Sequence, residues 1–572
     1  MGKQQTLHLG ACAKTRSAAL VKRALSLPAH GDNDRALAAL SRAASVRPHD
    51  IGVLARVAAM LAELGRHGEA VAAWEKVNRL SPQNAHAAAG LGLALMGAGR
   101  TADALAWLCG ACERHSGDAA LFRLHARVLL ALGLRAQAVG ALLVALELEP
   151  AAASTHAALA IALLQEGHAQ AALPHSVEAF SRESTGPNAA TLSCILIDLG
   201  RDQEALAVSL LNVPGAAESV ELLLNRSIAL EGLGRIDEAI TAAREAVAVS
   251  PDSAAAQHHL AATLLASGHL TAEAWAFYEG RARLSGAPTW PDPNRRWRGE
   301  DIAGKTVLLH AEQGLGDTIQ FVRYAPMVAQ RGARVILAVQ PALVRLLQGT
   351  ACVDQVVPTG PALPEYDLYC PLLSVPGLLG TSLDTIPPLL PYTRAFAAAA
   401  PSDLLRVGLV WAGSAGFADD RKRSISPSLL TPLLSVAGAQ FYSLQVGNTD
   451  PLPDDVTNLA EGVADFADTA ARLSGLDLVI AVDTAVAHLA ATMGKPVWLL
   501  SRFRGCWRWL QGRDDTPWYP SMRIFRQTAP NDWPGVIENV RHALVSCIQG
   551  GQAVGRLSCS PERLQCATSS PR

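Results

Sequence analysis

Aromatic side chains are scarce, at 5% of 572 residues, so any local cluster of them is informative. An excess of one charge sign is also lacking. Lys+Arg number 49 and Asp+Glu 51, a formal net charge of −2, and no basic surplus marks a nucleic-acid or anionic-membrane partner. No run of eighteen apolar residues is present to span a membrane, and the N-terminus has no apolar stretch of the secretory type. Gly2 to Thr6 fits the short N-myristoylation pattern, one loose enough to arise by chance. The expected compartment is the cytoplasm. Ten cysteines are spread without a disulfide framework. Cys109 and Cys112 form a lone C-x-x-C with neither a second pair for zinc nor a βαβ setting for redox work, so the thiols read as buried or idle. Half of the residues are apolar and 17% charged, which excludes a disordered chain. The length calls for two or three domains.

The first half is periodic. Glycines stand at Gly31, Gly65, Gly99, Gly133, Gly167, Gly200, Gly234 and Gly268, 34 residues apart except for one interval of 33. Five residues after seven of them come Ala36, Ala70, Ala104, Ala138, Ala172, Ala205 and Ala239, and Pro48, Pro82, Pro150 and Pro251 recur in the same register. Each glycine ends a first helix by allowing φ > 0. Each alanine lets a second helix approach closely, and each proline stops it. The pattern resembles the tetratricopeptide repeat in spacing and small residues; a different all-α solenoid is the alternative. Eight units over 17–287 are expected after an N-terminal segment 1–16, the last of them a capping repeat running to Tyr278. Such a solenoid offers a groove to a protein or peptide partner.

Between Pro288 and Gly304 helical periodicity stops and two tryptophans appear, Trp290 and Trp297, expected to pin a linker (288–303) against a neighbour. From Thr306 short apolar runs alternate with helical segments, which predicts parallel sheets. The scheme restarts after an alanine-proline stretch at 397–401. Two Rossmann-like domains are therefore expected, 304–396 and 403–548, followed by a loose polar tail, 549–572.

Three motifs carry chemistry. Gln313-Gly314-Leu315-Gly316-Asp317 falls where the first strand hands over to a helix, at the strand end where α/β sheets bind ligands. It is neither a dinucleotide fingerprint nor a P-loop; Asp317 either caps the helix or acts on a ligand. Asp483-Thr484 opens a later helix with His488 one turn on, a place suited to phosphate or to a simple cap and a packed histidine. Trp411-Ala412-Gly413-Ser414 with Arg421, Lys422 and Arg423 joins a small-residue turn to three cations, either a phosphate site or a solvated loop. The cluster Arg504, Trp507, Arg508, Trp509, Trp518, Tyr519 suits a sugar or nucleobase, or a loop folded back on its sheet.

G-L-G-D, a basic loop after W-A-G-S, and D-T-A-x-x-H, in that order, resemble the heptosyltransferase-like glycosyltransferases of family 9, which have the GT-B fold. The likeness spans roughly 304–548 and is closest to bacterial proteins with this module behind tetratricopeptide repeats, which share HAEQGLGDTIQF and DTAVAHLA. The expected fold class is thus an α solenoid followed by an α/β GT-B fold of two Rossmann-like domains. The resemblance implies a general base at Asp317, with Gly314 and Gly316 beside it. It implies donor contacts at Ser414, Arg421, Arg423, Asp483, Thr484 and His488, and at Gln445 where the family often has an acid. It implies no metal and no cofactor.

Domain 304–396 is shorter than in the lipopolysaccharide heptosyltransferases, which points away from heptose transfer to lipid and toward an acceptor supplied by the solenoid. The reading is inverting transfer of a sugar from a nucleotide-sugar to an acceptor hydroxyl on a protein or glycan. Protein O-GlcNAc transferases pair repeats with GT-B domains similarly, an analogy of fold alone. The alternative is a non-catalytic scaffold whose GT-B module only binds a nucleotide-sugar.

Overall fold

A computed structural model describes residues 15–24, 33–284, 292–390, 402–414, 420–447 and 456–550. The chain divides into two compact units, Met1–Asn225 and Arg226–Arg572.

The described part of the first unit is a helical repeat solenoid of antiparallel helix pairs, such as Ile51–Glu63 with His67–Leu80 and Ala85–Gly97 with Thr101–Arg114. First helices open on side-chain caps: Asp50, Asn84 and Asp118 accept from the amides of Val53, Ala87 and Leu121. They close on left-handed glycines, with φ of 72° at Gly65, 73° at Gly99 and 75° at Gly133. Ala36, Ala70, Ala104, Ala138, Ala172 and Ala205 are all 0% exposed, at the places where paired helices meet. Gly31 lies outside the described residues. In the C-x-x-C pair Cys112 is buried, which pushes its thiol up to about 11, whereas Cys109 is exposed.

The second unit holds the helices Ile236–Val249, Ala254–Ala266 and Ala272–Tyr278, a 3-10 turn Glu279–Arg283, and two parallel sheets. The first sheet contains β1 (Thr306–His310), β2 (Arg334–Val339), β3 (Gln355–Pro358) and β4 (Leu368–Pro371) in the order β3-β2-β1-β4. The second contains β5 (Leu405–Val410), β6 (Ala439–Ser443), β7 (Val456–Asn458), β8 (Leu478–Val482), β9 (Val497–Ser501) and β10 (Met522–Arg526) in the order β10-β9-β8-β5-β6-β7. The strand order reverses about β1 and about β5, the topological switch points where such sheets take ligands. This α/β region is consistent with a GT-B type domain.

One apolar core runs through the unit. It joins Leu260, Leu264, Trp275 and Tyr278 of the helical segment to Val307, Leu309 and Phe321 of the first sheet layer. The same core includes Leu499, Trp507 and Trp518 of the second. The last helices therefore share a core with the sheets, although the sequence divides the chain at 287. Trp297 is 1% exposed, and its indole donates to the Glu300 carbonyl; Trp290 and the tail beyond 550 lie outside the described residues.

Two helical segments are broken into short pieces. The segment after β1 breaks into Leu315–Phe321, a 3-10 turn and Ala325–Ala329, because Pro326 lacks the amide that would continue the hydrogen-bond ladder back into the preceding turn and so sits at the start of a new helix. Residues 426–437 likewise hold no single helix but two short turns, Pro427–Leu430 and Thr431–Leu434, each carrying a proline in its first positions.

Candidate functional site

The turn after β1 sets the first part of the site. Asp317 occupies the third position of the Leu315–Phe321 helix, and its Oδ2 accepts from the Gly314 amide at 2.9 Å. The carboxylate therefore caps its own helix. Its Oδ1 lies 2.5 Å from Nη2 of Arg508, which arrives from the far end of the chain. The turn is braced by Gln340, which donates to the Gln313 carbonyl at 2.8 Å and accepts from the Thr318 hydroxyl at 2.9 Å. Glu312, just upstream, is buried and held by Arg281 at 2.8 Å and by the Leu373 amide at 3.2 Å.

Arg508 belongs to the aromatic cluster, which folds inward. Trp509, Trp518 and Tyr519 are 0% exposed. The Arg508 guanidinium sits 4.5 Å over the Trp507 ring and 5.5 Å from that of Phe321. Burial alone would lower its pKa; the Asp317 carboxylate, and then Cys506 and Tyr278, hold it well above its ordinary value instead. A charge so deeply placed needs this partner.

The second sheet supplies the other part. Beyond β5 the amides of Trp411 and Ala412 donate to Oε1 of Gln445 at 3.2 and 2.9 Å. Gln445 thus shapes the turn that ends at the exposed Ser414. Gly413 donates to the Ser424 hydroxyl at 3.1 Å, and a Cβ on Gly413 would overlap the Arg423 guanidinium, so only glycine admits that approach. Arg423 bonds Oδ1 of Asp420 and the backbone carbonyl of Asp483, both at 2.9 Å. Arg421 is exposed on the same turn.

After β8, Thr484 is the N-cap of the Ala485–Thr492 helix, and its hydroxyl turns back to the Val482 carbonyl at 3.2 Å. Asp483 Oδ2 accepts from the Trp509 indole at 2.9 Å. Burial pushes its carboxyl up, against the pull of that indole, Arg508 and Arg423.

His488 is placed differently from the phosphate contact the sequence implies. Its ring is buried, with Nδ1 2.8 Å from the Tyr519 hydroxyl. A Cβ on Gly316 would stand 2.6 Å from its Cδ2. Burial first, and then Arg508 and Arg323, hold its pKa well below the ordinary value, so it serves as a neutral packing and hydrogen-bonding group. The reason is steric: the bare backbone at Gly316 lets the first helix close over the side of the second that carries His488.

The structure thus gathers Gly314, Gly316, Asp317 and His488 at one junction. Ser414, Arg423, Gln445, Asp483 and Thr484 line the strand-end turns of the second sheet. Sequence reasoning left Arg508 out of the catalytic set and missed Glu312 and Arg281 altogether; the glutamate directly before Gln313-Gly314 was the available signal. Beside the β1 turn opens a cavity of about 270 Å³ lined by His310, Glu312, Gln313, Gln340, Thr359 and Gly360 among others. Among the described residues no group of three or more His, Cys, Asp or Glu is placed to hold a metal ion. No helix among them is long and apolar enough to cross a membrane.

Comparison with known proteins matches residues 449–500 to glycosyltransferase family 9 (heptosyltransferase). Residues 61–119 and 224–287 match the tetratricopeptide repeat. The chain is 28% identical over 365 residues to Protein FlbA of Caulobacter vibrioides, covering 56% of this chain and 60% of that one. A tetratricopeptide repeat protein from Parabacteroides merdae is similar in structure, with TM-score 0.37, 13% identity, and coverage of 44% of this chain and 99% of that one. The APC/C hetero-tetramer Cut9–Hcn1 gives TM-score 0.35, 15% identity, and coverage of 46% and 52%. The matches to the tetratricopeptide repeat and, over a short stretch, to glycosyltransferase family 9 support a glycosyltransferase-like function.

Proposed function

We propose that this chain transfers a sugar, with inversion, from a nucleotide-sugar to an acceptor hydroxyl on a protein or glycan recruited by the repeats. The observation that carries the reading is the meeting of two strand-end turns, one bearing Asp317 and the other opening at Asp483-Thr484, with Gly316 packed on His488. In the transfer the acceptor hydroxyl gives its proton to Asp317 while its oxygen bonds the anomeric carbon. The bond from that carbon to the phosphate oxygen breaks, and the nucleoside diphosphate leaves with the electron pair. Each carboxylate oxygen of Asp317 takes more than one hydrogen bond, so its contacts with Gly314 and Arg508 leave room for that hydroxyl. Arg421, Arg423, Ser414 and the open amides of the Ala485 helix stabilise the departing diphosphate. The cavity beside Gln313 takes the acceptor end.

A melting screen of the full chain against ADP-, GDP-, UDP- and CMP-sugars tests the donor. A specific ligand raises the transition by mass action, and Arg423→Ala removes that rise. Absence of any response across the panel contradicts the proposal. The scaffold reading has one specific observation in its favour, that the Asp317 carboxylate already holds a buried arginine. On that reading a nucleotide-sugar raises the transition and is not turned over.

A further inference from the structure

The last helical hairpin does more than end a row of repeats. Trp275 and Tyr278, on the helix Ala272–Tyr278, meet the ring of Trp507 edge to face. The centroids are 5.9 and 5.7 Å apart, with interplanar angles of 81° and 76°. Trp518 meets that ring in the same way at 5.9 Å, and Phe321, on the helix that bears Asp317, lies 6.3 Å from it. Trp507 therefore has three aromatic neighbours at right angles, and its own face carries the Arg508 guanidinium. Around it the backbone is pinned: the Gln511 amide donates to the Ala266 carbonyl at 2.8 Å, and Arg526 donates to the Leu510 carbonyl at 2.7 Å. The Trp275 indole donates to the Thr381 carbonyl at 2.8 Å, fixing the same helix to the first sheet layer.

We propose that Arg508 is a positioning residue for Asp317, and that the terminal helical hairpin, through Trp275 and Tyr278 packed on Trp507, sets the place of Arg508. The hairpin is then part of the transfer centre as well as the end of a docking platform. The proposal rests on the reading of Asp317 as the transfer base. The physical argument is one of freedom. An arginine side chain is long and its partner carboxylate sits on the first turn of a short helix, so the pair has one geometry only if the guanidinium is clamped. The clamp here is the Trp507 face, and Trp507 is clamped by the hairpin. Removing Trp275 frees the ring, the guanidinium and then the carboxylate, and displacements of about 1 Å can cost roughly a hundredfold in rate.

The test uses the full-length chain and the nucleotide-sugar identified by melting, with release of nucleoside diphosphate as the readout. Trp275→Leu and Arg508→Lys are expected to lower kcat by roughly tenfold to a hundredfold while donor KM stays within about twofold, since uniform binding is untouched. Trp275→Phe, which keeps an aromatic edge, restores most of the rate. The double variant Trp275→Leu/Arg508→Lys is expected to be no slower than Arg508→Lys alone, because both act on one geometry. Additive losses, or unchanged kcat in Trp275→Leu, overturn the proposal.

If Trp275→Leu fails to fold, Trp507→Phe takes its place in the cycle. Normal turnover by Asp317→Asn sinks the base assignment instead, and the positioning claim is then decided without turnover. The buried Arg508 guanidinium resonance in ¹⁵N-arginine-labelled protein should move in both Asp317→Asn and Trp275→Leu. A resonance that stays in place in Trp275→Leu overturns the proposal by itself.

Discussion

Replacing Arg281 by alanine should destabilise the second unit more than any exposed charge change in the chain. The guanidinium is 4% exposed and spends all five N–H groups. They go to the Tyr278 carbonyl at 3.1 Å, Glu279 at 2.8 Å, Ser374 at 2.7 Å, and the two oxygens of Glu312 at 2.8 and 3.3 Å. Glu279 keeps Arg296 and Ser374 when Arg281 is lost. Glu312 keeps only the Leu373 amide at 3.2 Å. Breaking a buried pair by deleting one partner costs about 3–5 kcal/mol, most of it the charge left behind.

The pH dependence of that deficit follows from the same burial. Burial raises the Glu312 pKa even with Arg281 present, and removing Arg281 raises it further. A carboxyl whose folded pKa lies above the unfolded value, about 4.3, binds more protons folded than unfolded, so stability falls as pH rises through that window. The Arg281→Ala deficit is therefore larger at pH 8 than at pH 5. Arg281→Ala/Glu312→Gln recovers most of it. Melting followed by circular dichroism at the two pH values measures this. A deficit below about 1 kcal/mol, typical of a surface pair, or one that grows on acidification, refutes the reasoning.

Gly316→Ala should lower the melting temperature by the overpacking cost of about 1–3 kcal/mol, because its Cβ meets the buried His488 ring at 2.6 Å. Gly314→Ala meets only the Asp317 carboxylate at 3.2 Å and should cost far less. Gly234→Ala, at φ 71°, should lose about 1–2 kcal/mol of stability to left-handed strain by the same melting measurement. A chain starting at Arg226 should stay folded and resist limited proteolysis. One starting at residue 288 should not, since it lacks Trp275 and Tyr278 from the shared core and the buried Arg281 that holds Glu312.

The repeats were legible because their conformational demands fall on glycine and alanine at a fixed period, with left-handed φ at Gly99 and Gly234 and no exposure at Ala104 and Ala239. The inner strands were legible because parallel strands are buried on both faces and read as apolar runs, as in Leu478–Val482. Val456–Asn458 escaped notice because a three-residue edge strand with Thr457 and Asn458 exposed has no such run. In the site, the spacing located Asp317 and Asp483. It could not show that Arg508 closes on Asp317 or Arg281 on Glu312, since those pairs form only when distant segments pack. The turn of His488 toward Gly316 was hidden for the same reason: helical spacing gives the side of a helix, not what covers it.

The most direct test of the account is turnover by Asp317→Asn against the wild-type chain, with the nucleotide-sugar that raises the melting temperature. Nucleoside diphosphate release and sugar incorporation into acceptor are measured together. The substitution keeps the shape and an acceptor for the Gly314 amide but removes the base. The account predicts donor binding within about twofold of wild type and a rate lower by roughly 10²–10⁴-fold. Transfer of sugar by the Asp317→Asn variant at the wild-type rate would contradict it.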